Sequence, residues 1–224
     1  MLGVRIDQLT QEEALQKASS FLSSSNSHMI FTPNAEFLVQ ANKDRVFRDI
    51  LNKADLSIAD STGVFLASCL TKNKLPQRIP GVDFAEKLCG LAAEKKNPVF
   101  LYGGYNQVAE KTALNLKNKY PDLKVKVLKE GQKASGLLLV ALGAPKQEEW
   151  IVENLPSMPE VRIAMGVGGT FDFLSGQVKR APSFLRKYGF EWLWRLVLQP
   201  WRLVRVTRAT LIFPYLFLKN YKHE

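Results

Sequence analysis

Histidine and cysteine are scarce in this 224-residue chain, which holds two of each. Cys69 and Cys89 lie in apolar helical contexts with no CxxC spacing and no histidine neighbour. A disulfide framework and a Cys–His nucleophile find no support, and both residues read as core thiols of a chain from a reducing cytosol. His28 reads as a strand residue, and His223 stands at the far end of the chain. There is no DxD pair and no spaced set of hard carboxylate ligands, so no metal site is expected. The glycines form neither a GxSxG elbow nor a complete GxGxxG fingerprint. No basic stretch followed by an apolar one opens the chain, so no signal peptide is expected. No apolar run approaches a bilayer span; the longest, over residues 211–218, is short and contains Pro214.

What is present is ordinary in amount and uneven in place. Apolar residues make up 46% and charged residues 23%, as in a globular chain with one sizeable core, alone or with an appendage. The net charge is +10, and +8 of it lies between residues 179 and 224, where ten Lys and Arg meet two acids. A basic segment on a nearly neutral body calls for an anionic partner: nucleic acid, a membrane surface or a phosphorylated substrate. Trp192, Trp194 and Trp201 are interleaved there with long aliphatics, a pattern that suits a membrane interface better than nucleic acid. No nucleic-acid partner is therefore expected.

Helix and strand signals alternate along the body. Apolar positions at Ala14, Leu15, Ala18 and Leu22 predict a helix before a strand at 28–32. One helix from 35 to about 51 follows, then a short strand at 56–60, a helix opening at 61 and an amphipathic helix over 83–95. Further strands are expected at 98–104, 124–128, 136–143 and 161–169, with a helix over 106–119. Near-continuous apolar strands alternating with helices define the fold class as α/β, a Rossmann-like, mostly parallel sheet covered by helices on both faces. The expected division is an α/β body at 1–188 and a basic, aromatic-rich helical appendage at 189–224. One connection is odd. Only "KEGQKASG" separates the strands on either side of it, short for a parallel crossover. Either those strands are not neighbours, or the crossover is an unusually thin loop.

In parallel sheets ligands bind beyond the carboxyl ends of the strands, and the polar residues of this chain gather there. In "FTPNAEFL" (31–38), Pro33 stops the strand, and Asn34 is a candidate helix cap. Asn34 shares its sheet edge with several other polar groups, which favours a site over a cap alone. Asp60, at the tip of a strand, reads equally as a helix cap or as a general base. Gly103 and Gly104 permit a close backbone approach to a phosphate or sugar. "GVGGTFD" (166–172) contains Gly168, Gly169 and Asp172, with more glycine than a structural turn needs. Arg78 either meets a phosphate or is a solvated loop charge. Arg202, Arg205 and Arg208 recur every third residue, a stripe about 120° wide on a helix, with Leu203, Val206 and Phe213 on another side.

Taken in order, seven stretches resemble the WecG/TagA/CpsF family of bacterial glycosyltransferases: "TPNAEFL", "LSIADSTGV", "LPQRIPGVD", "VFLYGG", "ALGAPKQEEWI", "GVGGTFDFLSGQVKRAP" and "GFEWLWRLVLQPWR". They run from Thr32 to Arg202. The resemblance implies inverting, metal-independent transfer from a UDP-sugar, often UDP-N-acetylmannosamine, to a sugar on a polyprenyl diphosphate, for teichoic acid or other surface polysaccharides. It implies a cytoplasmic protein held peripherally at the inner face of the cell membrane, with no cofactor, and leaves a homo-oligomer open. It matches Asp60 to the catalytic base, Thr32 and Asn34 to the donor pocket and Arg78 to a leaving-group contact. Gln147 and Asp172 match positions near the nucleotide and sugar, and the basic C-terminal stretch matches a membrane-binding cover for the site. Two departures stand out. Ser61 follows Asp60 where many members have glycine, and "KEGQKASG", expected in the middle of the sheet, replaces a longer, usually helical segment. The alternative class is a non-catalytic, membrane-docking nucleotide binder.

Overall fold

The computed structural model describes residues 1–221; Lys222, His223 and Glu224, the end of the expected appendage, lie outside the described residues. The helices and strands of the body are α1 (Gln11–Leu22), β1 (His28–Phe31), α2 (Ala35–Lys43), α3 (Arg45–Leu51), β2 (Leu56–Ser57), α4 (Thr62–Ser68) and α5 (Gly81–Glu94). They continue with β3 (Val99–Gly103), α6 (Val108–Lys119), β4 (Val125–Val127), β5 (Gly136–Ala141), α7 (Lys146–Asn154), β6 (Val161–Gly166), α8 (Thr170–Leu174) and α9 (Ser183–Lys187). The C-terminal segment holds α10 (Glu191–Leu198), α11 (Leu203–Thr207) and α12 (Phe213–Tyr221).

All six strands pair in parallel, in the order β2-β1-β6-β5-β3-β4. The side-chain period of two sends alternate residues to opposite faces, so the apolar run of β5 feeds two cores. Leu137 and Leu139 pack with Phe84, Leu88 and Leu116 beneath α5 and α6. Leu138 and Val140 pack with Leu38, Phe47 and Ile151 beneath α2, α3 and α7. Because every strand points the same way, the chain leaves the sheet repeatedly at one edge, and that edge collects the loops.

Four expectations change. The helix expected over 35–51 is two helices: Asp44 leaves helical geometry, and its carboxylate accepts the Phe47 N–H at 3.0 Å, capping α3. Of the two thiols, Cys89 is buried, and burial pushes it up to about 12, but Cys69 is exposed at the end of α4. The short connection does not cross the middle of the sheet between neighbours. It joins the edge strand β4 to β5 past the intervening β3, and it is a thin loop with Leu128 and Ala134 buried in the second core. Finally, the C-terminal segment is not one helix. A 3₁₀ turn at Pro200–Arg202 separates α10 from α11, and Arg208–Ile212 is wound as a π-helix. The every-third arginine stripe is therefore broken. Leu203 is exposed, Val206 lines the pocket described below, and Phe213 is buried against the body.

Phe213 and Phe217 fix α12 to the second core, stacked 6.2 Å apart. Phe213→Ala is expected to lower stability by about 3–5 kcal/mol in urea unfolding, the usual cost of emptying a buried phenylalanine site. Leu203→Ala, at an exposed position of the same segment, is expected to stay within about 0.5 kcal/mol of the parent.

Candidate active site

A cavity of about 300 Å³ opens beyond the carboxyl ends of β1, β2, β5 and β6, with the C-terminal segment as its far wall. Asn34 caps a helix and stands at the cavity. Its Oδ1 accepts the Phe37 N–H at 3.1 Å, capping α2, and the residue also lines the cavity. Ser61, not Asp60, caps α4, accepting the N–H groups of Val64 at 3.4 Å and Ala35 at 3.2 Å. That leaves the Asp60 carboxylate to the cavity.

Asp60 is half-buried there, and its Oδ1 accepts the Gly81 N–H at 2.8 Å, the first amide of α5. Burial raises its pKa above the ordinary carboxylate value; the Gly81 N–H and the Arg78 charge oppose the rise, and Glu191 and Asp83 add to it. The result is a carboxylate of increased basicity with one oxygen anchored, a suitable geometry for accepting a proton. Thr32 lines the cavity beside it. Arg78 does too, its Nη2 donating to the Arg186 carbonyl at 3.0 Å, so it is fixed rather than a free loop charge.

A glycine wall faces Asp60. Gln147 is buried at the start of α7, and its Oε1 accepts the N–H of Gly168 at 2.9 Å and of Gly143 at 3.2 Å. One amide oxygen thus ties together the turns after β5 and β6. Gly168 and Gly169 line the cavity, and Gly168 has a φ of 50°, a conformation that glycine adopts without strain.

Gly103 and Gly104 are not brought into this cavity. Both have a φ of 86°, and a Cβ on Gly103 would lie 2.9 Å from Leu142, while one on Gly104 would lie 2.5 Å from Val108. They serve close packing at the end of β3. Asp172 also stands back from the cavity, where its Oδ2 accepts from Arg195 Nη2 at 3.0 Å.

Arg195 is the residue that sequence reasoning missed. It lines the cavity with Arg202 and Arg205, and its guanidinium lies 4.7 Å from the Phe173 ring centre. Its signal was available, since Arg195 stands at i+4 from Glu191 and i+3 from Trp192 on a short helix, the spacings at which side chains meet. Arg180 forks onto Glu191 at 2.6 and 3.2 Å and reaches Asp83 at 2.9 Å, locking α10 to α5. Arg205 pairs with Glu36 at 2.7 Å. Arg202 has no carboxylate partner among the described residues. Its Nε donates to Gln199 at 2.6 Å, and burial, together with the charges of Arg195 and Arg205, pushes its pKa down to about 10. A guanidinium crowded by its own kind is an anion site in waiting. Arg208 is exposed and does not line the cavity.

A parallel α/β sheet whose strand ends carry an anchored carboxylate, a glycine wall and a cluster of arginines, Arg202 among them without a carboxylate partner among the described residues, is the frame of an enzyme site. The chain matches the Glycosyl transferase WecG/TagA/CpsF family over residues 1–224, and it belongs to that family of glycosyltransferases. It is similar to the N-acetylglucosaminyldiphosphoundecaprenol N-acetyl-beta-D-mannosaminyltransferase of Bacillus subtilis (strain 168), 36% identical over 80% of this chain and 74% of the relative. A protein of the same name from Staphylococcus aureus (strain MW2) is 30% identical over 98% of this chain and 91% of its own length.

Asn34→Asp separates the two duties of that residue. Aspartate caps as well as asparagine, so the melting temperature is expected to change little. The added charge sits in the arginine-lined cavity, and turnover of the folded variant is expected to fall by about tenfold or more, or roughly 1.4 kcal/mol. A lower melting temperature with unchanged activity would assign Asn34 to capping alone.

Proposed function

We propose that the enzyme transfers a sugar, N-acetylmannosamine by analogy with its relatives, from a UDP donor to a sugar on a polyprenyl diphosphate. The proposed step is a single inverting displacement. Asp60 takes the proton of the acceptor hydroxyl as its oxygen bonds to the anomeric carbon, and the bond from that carbon to the UDP oxygen breaks. Charge grows on the departing diphosphate, and Arg78, Arg195, Arg202 and Arg205, with the amides of the glycine wall, supply the counter-charge that a metal supplies elsewhere. Thr32, Asn34 and Gln147 shape the donor pocket, and Asp172 acts through Arg195 rather than on the sugar. The carrying observation is the joint presence in one cavity of the anchored Asp60 carboxylate and an Arg202 guanidinium without a carboxylate.

The same reading makes residues 189–224 an appendage that completes the site and rests on an anionic membrane. Trp201, Leu203, Val204, Leu211, Tyr215 and Leu218 are exposed along it, and Arg208 is exposed among them. Such a surface suits the headgroup level, where each basic residue contributes about 1 kcal/mol. No helix among the described residues is long and apolar enough to cross a membrane.

Asp60→Asn keeps the shape and removes the basicity. With UDP-N-acetylmannosamine and a soluble lipid-linked acceptor analogue, turnover is expected to drop by about a hundredfold or more. In the parent the acid limb of the pH profile is expected above the ordinary carboxylate range, because burial raises Asp60 and only its ionised form accepts a proton. Near-normal turnover by the variant would remove Asp60 from the chemistry, and no turnover by the parent would favour a binding module.

Transfer is expected to survive excess chelator, and loss of activity restored by magnesium or manganese would sink metal independence. Lys and Arg contacts to lipid are salt-sensitive, so binding to anionic vesicles should weaken as salt rises. Trp201→Ser with Leu203→Ser should weaken it further while leaving transfer to a soluble acceptor intact. If these variants hold vesicles as tightly as the parent, this face is not the docking surface.

A further inference from the structure

Behind the glycine wall lies a carboxyl group that the proposed chemistry leaves unused. Glu148 is fully buried, and its Oε1 accepts from Gln147 Nε2 at 2.6 Å. Its Oε2 has no hydrogen-bond partner among the described residues. A buried ionised acid costs several kcal/mol unless it is compensated, and no cation among the described residues pairs with Glu148. Its neighbours are specific. On α7 the charged group acting on it is Glu149, which repels it. On α3, which packs against α7, Arg45 pairs with Asp49, and Arg48 lies against Gly3. Strand β5 has no titratable residue, and Arg162 of β6 bonds to Ser25 and Pro159 at the opposite end of the sheet.

The Gln147 amide explains why an acid is kept. Two N–H groups, from Gly143 and Gly168, converge on one end of that amide, so its oxygen must face them. Its NH₂ then points into the interior, where an apolar neighbour would leave it unpaired. Glu148 supplies an acceptor oxygen at that point. Its shape is matched to the wall as well, since a Cβ on Gly166 would lie 2.8 Å from both Gln147 Nε2 and Glu148 Oε1. Gly166 leaves room for the pair to sit against the end of β6.

We infer that Glu148 is a positioning residue, holding the Gln147 amide in the one orientation that clamps the turns after β5 and β6 into a wall for the donor's diphosphate. The donor part of this statement rests on the nucleotide-sugar reading of the cavity; the clamp itself does not. Burial pushes Glu148 up to about 8, so at neutral pH the group is mostly the uncharged acid. Because the folded value lies above the unfolded one, its contribution to stability is full below the unfolded value near 4.3. That contribution is lost progressively as pH rises to about 8, after which it is constant.

The test compares the parent with Glu148→Gln and Glu148→Leu, using UDP as the probe. Glutamine offers the same acceptor oxygen, and leucine offers none. By calorimetry Glu148→Gln is expected to bind UDP within about twofold of the parent at pH 7, and Glu148→Leu about tenfold or more weaker. Hydrogen exchange at the Gly143 and Gly168 amides is expected to quicken in Glu148→Leu alone. The melting-temperature difference between Glu148→Gln and the parent is expected to grow in favour of the variant from pH 5 to 8 and then level off. Unchanged exchange and UDP affinity in a folded Glu148→Leu would overturn the clamp. Should Glu148→Leu not fold, a Glu148→Gln variant that loses UDP affinity or quickens both amides would overturn it equally. If the parent itself does not bind UDP, the nucleotide reading fails, while the exchange comparison still decides the role of Glu148.

Discussion

Carboxylates at the pocket rim hold the C-terminal arginines in place, and the rest of the site depends on that. Glu36, Asp83 and Asp172 all stand in the first turns of helices, α2, α5 and α8. Acids are favoured there by the helix dipole for local reasons. Because the sheet is parallel, helices that follow strands begin at one edge, so these local preferences converge on one rim. Asp172 then takes Arg195, Glu36 takes Arg205, and Asp83 shares Arg180 with Glu191. The acids next to an anion-binding cavity are thereby neutralised. Arg78 and Arg202 line the cavity without a carboxylate ion-pair partner among the described residues, and they carry its surplus charge.

The segment also sets the state of Asp60. Gly189, Glu191, Trp192 and Arg195 share its cavity, and Glu191 is among the charges that raise it. Without them the carboxylate would lie nearer water and titrate closer to an ordinary aspartate. Basicity and counter-charge thus come from the same stretch of chain.

The layered fold was legible because it follows from local patterns: apolar strands, helical periodicity, and Pro33 and Asn34 at a strand-to-helix passage. Asn34, Asp60, Arg78, Gly168, Gly169, Arg202 and Arg205 were singled out from strand ends, loops and the basic segment, and Thr32 and Gln147 from the family resemblance; all nine line the cavity. What escaped depends on tertiary contact. Gly103 and Gly104 look like ligand glycines, but their freedom is spent on Val108 and Leu142. Asp172 reads as a site residue in a glycine-rich turn, yet only the fold reveals that it faces Arg195. The break at Asp44 was written locally, as a capping carboxylate three residues before Phe47, and was hidden by apolar periodicity running through it. In the C-terminal segment Leu203, Val206 and Phe213 look alike in sequence and end in solvent, cavity and core.

The two departures from the family pattern now separate by position. The short connection over 128–135 runs from an edge strand, its residues 129–133 are exposed, and none of it lines the cavity. Lys129 and Gln132 close it into a tight turn, and Leu128 and Ala134 bury its ends, so its effect falls on stability at the sheet edge. Ser61 is different. Its hydroxyl oxygen takes the first amide of α2 and an amide in the first turn of α4, joining the two helices that carry Asn34 and follow Asp60. A glycine there would cap α4 only a few tenths of a kcal/mol less well. It would, however, release the Ala35 N–H and with it the link between the helices. The spacing of Asn34 and Asp60 across the cavity is thus held by the Ser61 hydroxyl, which joins the start of α2 to the start of α4.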